Sequence, residues 1–175
     1  MLGRIAIKDA VRHWLWQQGG GPMFPIEVEV YNEPSGQPRV RGAFSRDLRV
    51  SVAHKPKAAV AMVAEGVDVG IDCELVEPRS DSFSRVTLSD PEKALLAQQI
   101  GCAREDEWLT RAWAAKEAVG KSRGTGLGGN PKRFEIQKIE GESLLVDGQR
   151  VQTRRHGDLI VAWTRREESK KGAPT

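Results

Sequence analysis

Cysteine and histidine are scarce in this sequence, and their scarcity removes several classes of function. Two cysteines, Cys73 and Cys102, are too few for a disulfide framework, and three histidines leave little for a Cys/His zinc site. No apolar run approaches the roughly 18 residues that a membrane-spanning helix needs. The apolar residues near Met1 are interrupted by Arg4, Lys8, Asp9 and Arg12, unlike a secretory signal. A reduced, cytoplasmic setting is expected, with no membrane partner. Charge of one sign is lacking too: 27 basic residues against 24 acidic give a net +3, well short of a nucleic-acid-binding balance. That balance suits an anionic ligand or an acidic partner protein. Part of the excess falls in Arg165, Arg166, Lys170 and Lys171, and residues 165–175 are expected to be a solvated, disordered basic tail. No internal repeat, no G-x-x-x-x-G-K-[ST] phosphate loop and no G-x-S-x-G elbow is present.

The patterns that are there predict an α+β chain of antiparallel hairpins and a few helices. GRIAIKDAVRHWLWQQGGG places Ile7, Ala10, Val11, Trp14 and Leu15 on one helical face and stops at the glycines from Gly19. IEVEVYN alternates as a strand with one wet face, and NEPSGQP is a turn cluster. LRVSVAH and KAAVAMVAEG read as paired strands around Lys55-Pro56, with DVGIDCELV as a further strand. In SDPEKALLAQQ, Ser89, Pro91 and Glu92 stand where a helix start and capping box require them. A longer helix is expected from about Glu105 to Lys121. KRFEIQKI, SLLVDGQRVQT and GDLIVAWTR close the chain as strands, with Asp147-Gly148 as a hairpin turn.

Three constellations could carry chemistry. In GIDCE, Asp72 and Glu74 are two apart on a strand and share a face. Two adjacent carboxylates repel unless a positive group lies between them, and a hard cation such as Mg²⁺ is a natural occupant. The plainer reading is a solvated edge face. In AWAAKEAVGK, Leu109, Trp113, Glu117 and Lys121 form one i, i+4 ridge, apolar in its first half and charged in its second. Glu117 at that border could complete a metal site or act as a base; a surface ion pair with Lys121 is the plainer reading. His54 ends a strand and is followed by Lys55 and Lys57, a setting for phosphate contacts or simply for an exposed histidine. GTGLGG holds a literal G-x-G-x-x-G at Gly124, Gly126 and Gly129, but it follows a helix and precedes a strand, the reverse of a dinucleotide site.

Taken in order, VSVAH, VGIDCE and WAAKEAVGK resemble the phosphopantetheinyl transferase superfamily, from about Gly3 to about Ile136. The chain looks closer to the two-lobed surfactin-synthetase-activating type than to the small trimeric type. The resemblance implies two similar lobes, each a small antiparallel sheet against a helix, related by pseudo-two-fold symmetry. Residues 1–66 would form a shortened N-terminal lobe, residues 67–164 the C-terminal lobe with the acids and the catalytic helix. It implies transfer of 4′-phosphopantetheine from coenzyme A to a serine of an acyl or peptidyl carrier protein, releasing adenosine 3′,5′-bisphosphate. Asp72, Glu74 and Glu117 would hold Mg²⁺ or Mn²⁺, and Glu117 would serve as base. Lys121 would neutralise phosphate charge. His54, Lys55, Arg39 and Lys116 would join it in contacting coenzyme A.

The sequence departs from the family pattern in three places. Ala53-His54-Lys55 stands for Ser-His-Ser, so hydroxyl contacts are lost and Lys55 substitutes. Gly36-Gln37-Pro38 stands for G-K-P, with Arg39 supplying the missing charge. Two-lobed relatives carry more sequence ahead of GRIAIKDAVR, which suggests a naturally short form or a domain excised from a polyketide or fatty-acid synthase. Two other readings remain: a transferase-like docking module without activity, and a metal-dependent phosphohydrolase.

Overall fold

A computed structural model describes residues 2–99 and 105–166. The chain folds into two antiparallel sheets, each carrying a helix. Helix α1 (Leu2–Gln17) buries the ridge Ile7, Val11 and Leu15, one residue per turn on the face the periodicity predicts. It ends where Gly20 N donates to Leu15 O at 2.9 Å and Gly19 takes φ +80°. The first sheet runs in the order β1 (Val28–Asn32), β2 (Pro38–Gly42), β3 (Leu48–Lys55), β4 (Ala58–Glu65). Val28, Val30, Leu48 and Val50 meet the α1 ridge to form its core.

The second sheet runs β5 (Val69–Leu75), β9 (Leu159–Arg165), β8 (Gln149–His156), β7 (Ser143–Val146), β6 (Ile136–Glu140). Two short helices, α2 (Asp81–Thr87) and α3 (Asp90–Ala97), precede the long α4 (Glu105–Ser122). Helix α4 lies across β5 and β9 and is buried almost all round. Ala112, Ala115, Ala118 and Val119 face Ile136, Val146, Val151, Ile160 and Ala162. Small alanines let the helix approach closely, and Gly70 on β5 completes the fit: a methyl group there would overlap the carbonyl of Ala118. The two sheets meet where β3 lies against β5, and Ile71 N donates to Ser51 Oγ at 3.1 Å.

The expected α+β fold with two helix-backed sheets is present, with several local differences. Pro25–Glu27 forms a 3-10 turn, so the first strand begins at Val28 rather than Ile26. Pro131–Arg133 is likewise a 3-10 turn, and β6 starts only at Ile136. Strand β2 and helix α2 were not expected. Arg165, the last residue of the expected strand GDLIVAWTR and the first of the expected tail, ends β9 and pairs with Val69 of β5, and Arg166 N donates to Asp68 O at 2.8 Å. The rest of the expected tail, residues 167–175, lies outside the described residues, as does Cys102; Cys73 is buried and free. No described helix is long and apolar enough to cross a membrane.

Candidate active site

Strand β5 and helix α4 bring the acids and the lysine together. Asp72 is only 6% exposed, which rules out a solvated edge face. Its pairing with Ala162 of β9 fixes its backbone. The close approach at Gly70 sets α4 against that strand at Ala118 and Ser122, the residues that directly follow Glu117 and Lys121. Lys121 Nζ donates to Asp72 Oδ1 at 2.8 Å, to Ile71 O at 3.1 Å and to Val52 O at 3.4 Å. It therefore ties both sheets together, and its ion pair is with Asp72 rather than with Glu117. Among the described residues Glu117 has no ion-pair partner, so the surface-pair reading of Glu117 and Lys121 does not hold.

The electrostatics are those of a site with too little positive charge. Burial raises the Asp72 carboxyl above its ordinary value, Lys121 opposes the rise, and Glu74 adds to it. Burial likewise raises Glu117, the nearby Asp72 charge raises it further, and Lys121 opposes. Asp72 Oδ2 is buried with no hydrogen-bond partner. A divalent cation satisfies all three observations: it would fill the orphan oxygen's empty coordination and lower both carboxyls. Asp72 and Glu117 therefore fit such an ion. Among the described residues, however, no three Asp, Glu, His or Cys side chains are gathered to hold one. Glu74 is drawn away, with Lys55 Nζ at 2.7 Å and Arg79 Nη2 at 3.4 Å from its Oε2.

The remaining expected residues divide. Lys55 reaches the acids from the first sheet. His54, next to it on β3, is exposed, with its ring beside Gly3 of α1. Arg39 on β2 pairs with Glu33 at 2.8 Å, and nothing brings it into the cluster. Gln37, beside it in the turn, instead donates to Lys121 O at 3.3 Å. Lys116 requires correction. Its side chain is 0% exposed and paired with Glu92 at 2.7 Å, so it cannot meet coenzyme A: it lies on the inner face of α4, one residue round from Glu117.

Sequence reasoning missed Arg79 and the groove it borders. The Arg79 guanidinium stacks over Phe83 at 4.9 Å, and Phe83 packs on Trp113 with ring centroids 5.2 Å apart. Phe83, Val86, Trp113, Leu127 and Pro131 line a groove of about 460 Å³ in which Glu117 is the acidic group. The only signal for this wall was Arg79 standing five residues after Glu74. The arrangement presents a carboxyl raised above its ordinary value, a lysine, and an acid with an unpartnered oxygen, beside an apolar groove. That set can deprotonate a hydroxyl and compensate charge on a phosphate.

The pattern of the 4′-phosphopantetheinyl transferase superfamily matches residues 68–167. Among solved structures the chain is similar to a holo-(acyl-carrier-protein) synthase from Bacillus anthracis str. Ames, in complex with CoA (3′,5′-ADP). The identity is 21% and the TM-score 0.45, over 57% of this chain and 95% of that one. No curated protein matches the sequence. The family match begins at the first residues of β5 and runs through β9, taking in Asp72, Glu74, Glu117 and Lys121, and the chain belongs to the 4′-phosphopantetheinyl transferase superfamily.

Proposed function

We propose that the chain transfers 4′-phosphopantetheine from coenzyme A to a serine of an acyl or peptidyl carrier protein. The observation that carries this reading is the convergence of Asp72, Glu117 and Lys121 across the β5–α4 contact, with Asp72 raised by burial and by Glu74, and Glu117 raised by burial and by Asp72. Glu117 takes the serine proton, and the serine oxygen bonds to phosphorus. The bond from that phosphorus to the departing adenosine 3′,5′-bisphosphate breaks. Lys121, already a triple donor beside Asp72, offers its charge to the phosphate and leaving group. His54 and Lys55 contact coenzyme A phosphate from the first sheet, and Arg39 belongs there only if it leaves Glu33.

A divalent cation, Mg²⁺ or Mn²⁺, would supply charge compensation at the pyrophosphate. Asp72 and Glu117 would hold it, with Glu74 joining once released from Lys55 and Arg79. Two helix-backed sheets support the two-lobed surfactin-synthetase-activating type, with lobes at residues 1–66 and 67–164. A cytoplasmic carrier of polyketide or fatty-acid synthesis is the partner in this reading.

The test is to incubate the chain with coenzyme A, Mg²⁺ and apo carrier proteins and to weigh each carrier by mass spectrometry. A gain of one phosphopantetheine is expected, and Glu117→Ala should reduce it at least about a hundredfold, the lower range for loss of a general base. No gain on any carrier would leave the docking-module reading standing. Phosphate or nucleotide released without a carrier would point to a phosphohydrolase.

A further inference from the structure

Lys116 is the site candidate that the transfer chemistry does not use, and its surroundings are unusual for a lysine. Its ammonium lies 2.7 Å from Glu92 Oε1, 2.8 Å from Thr87 O and 3.2 Å from Pro131 O. Glu92 is itself 0% exposed. Its Oε1 also accepts from Ile136 N at 2.8 Å, and its Oε2 accepts from Ser89 N at 2.7 Å. Three donors and both carboxylate oxygens are thus engaged, and five pieces of chain meet at one point. They are the end of α2, the start of α3, helix α4, the Pro131–Arg133 turn and the start of β6.

A buried ion pair stabilises a fold no better than apolar side chains of the same volume. What it does enforce is geometry, because each partner needs its hydrogen bonds in fixed directions. Two of the groups that Lys116 holds, the carbonyls of Thr87 and Pro131, belong to residues lining the groove that also contains Glu117. Glu117 follows Lys116 directly in the chain. The hydroxyl whose proton Glu117 takes must enter beside these walls, so the carrier segment bearing the serine is the substrate they meet.

We propose that Lys116 is a positioning residue, held by Glu92, that fixes Thr87 and Pro131 as walls of the groove receiving the carrier's serine segment. The proposal rests on the transfer reading above. Its contribution differs in kind from those of Glu117 and Lys121: it shapes where the carrier docks and leaves the reacting groups untouched.

Lys116→Met removes the clamp while keeping the volume. The expected result is a rise of about tenfold in KM for the carrier, equivalent to about 1.4 kcal/mol of binding, with KM for coenzyme A and kcat within about threefold of wild type. Amide hydrogen exchange on the full chain gives a readout independent of activity. The Ser89 and Ile136 amides should exchange at least about tenfold faster in the variant, with α1 unchanged. A folded variant with unaltered carrier KM, or one losing kcat alone, overturns the proposal. So does unaltered exchange at Ser89 and Ile136. Should Lys116→Met fail to fold, Glu92→Gln keeps the shape but removes the charge and one of the two acceptor oxygens that Ser89 N and Ile136 N use; a rise in carrier KM is again expected, and none overturns the proposal. If the wild type transfers nothing to any carrier, the transfer reading fails by that fact, while the exchange measurement still decides whether the clamp orders these walls.

Discussion

The two sheets solve the same packing problem in different ways. The first backs four strands with α1 through a small apolar core, and its ion pairs, such as Arg41 with Glu29 and Arg46 with Glu65, sit in solvent. Pairs of that kind contribute little. Trp16, Phe24 and Ile26 remain exposed beside them. The second sheet wraps α4 almost completely and buries charge within the fold: Lys116 with Glu92, and Arg111 with Glu107, whose carboxyl Arg111 and Arg155 hold low against the cost of burial. The family match covers the second sheet and not the first. The difference teaches where rigidity is needed. The candidate site groups Asp72, Glu117 and Lys121 stand on the densely tied sheet and its helix, while the first sheet lends Lys55, His54 and the Val52 carbonyl from β3.

The largest effect should come from breaking the tight sheet at its closest contact. Gly70→Val drives a branched side chain into the Ala118 carbonyl and the Ser122 amide. Backbone cannot yield as a flexible side chain can, so the cost should exceed about 3 kcal/mol. Loss of the cooperative thermal transition, or a large fall in Tm, is the expected outcome. On the looser sheet, Gly36→Ala places a methyl in open space and strains only its positive φ of 87°. It should cost about 1–2 kcal/mol. Equal losses from the two variants would erase the distinction between the sheets.

A smaller effect, opposite in sign, is expected from Glu117→Gln. Burial and the Asp72 charge raise the Glu117 carboxyl in the folded chain. The folded state therefore keeps its proton over a pH range where the unfolded chain has released it. The acid costs stability above its unfolded pKa of about 4.3 and nothing below it. Without divalent cation, Glu117→Gln should raise Tm at neutral pH. The two curves should converge as pH falls below about 4. Added Mg²⁺ should stabilise wild type and leave the variant unchanged. A variant less stable than wild type at pH 7 would remove the electrostatic argument for the site.

Much of this was legible before any coordinates. The ridge of α1, the β3–β4 hairpin and the Asp147-Gly148 turn follow from periodicity and turn chemistry. The V-G-I-D-x-E and W-A-A-K-E patterns placed Asp72, Glu117 and Lys121 on elements that do pack together. What escaped has a common cause. Helix α2 is only seven residues long, and β2 is a charged stretch between Pro38 and Gly42; neither is long enough to show a period. Lys116 and Glu117 are neighbours with opposite fates, and only the Glu92 carboxylate, 24 positions upstream, decides that the lysine turns inward. Glu92 itself was legible as a capping residue, because Ser89 lies three positions before it; its second partner, Ile136, is 44 residues away.

The smallest effect tests the first sheet alone. His54 is exposed at the end of β3 and one residue from Lys55, which already touches Glu74. If this edge grips coenzyme A, His54→Ala removes one hydrogen bond to phosphate, about 0.5–1.5 kcal/mol, so KM for coenzyme A should rise by up to about tenfold. The rate at saturation should hold, because no reacting atom meets the imidazole. Lys55→Ala provides the contrast. It loses a phosphate contact and weakens the hold on Glu74, where Arg79 remains at 3.4 Å, so its KM for coenzyme A should rise and the Mg²⁺ concentration needed for half-maximal rate should fall modestly. If neither variant moves KM, the first sheet is a scaffold for Lys121 through Val52 and no more, and the coenzyme must be held by the second sheet alone.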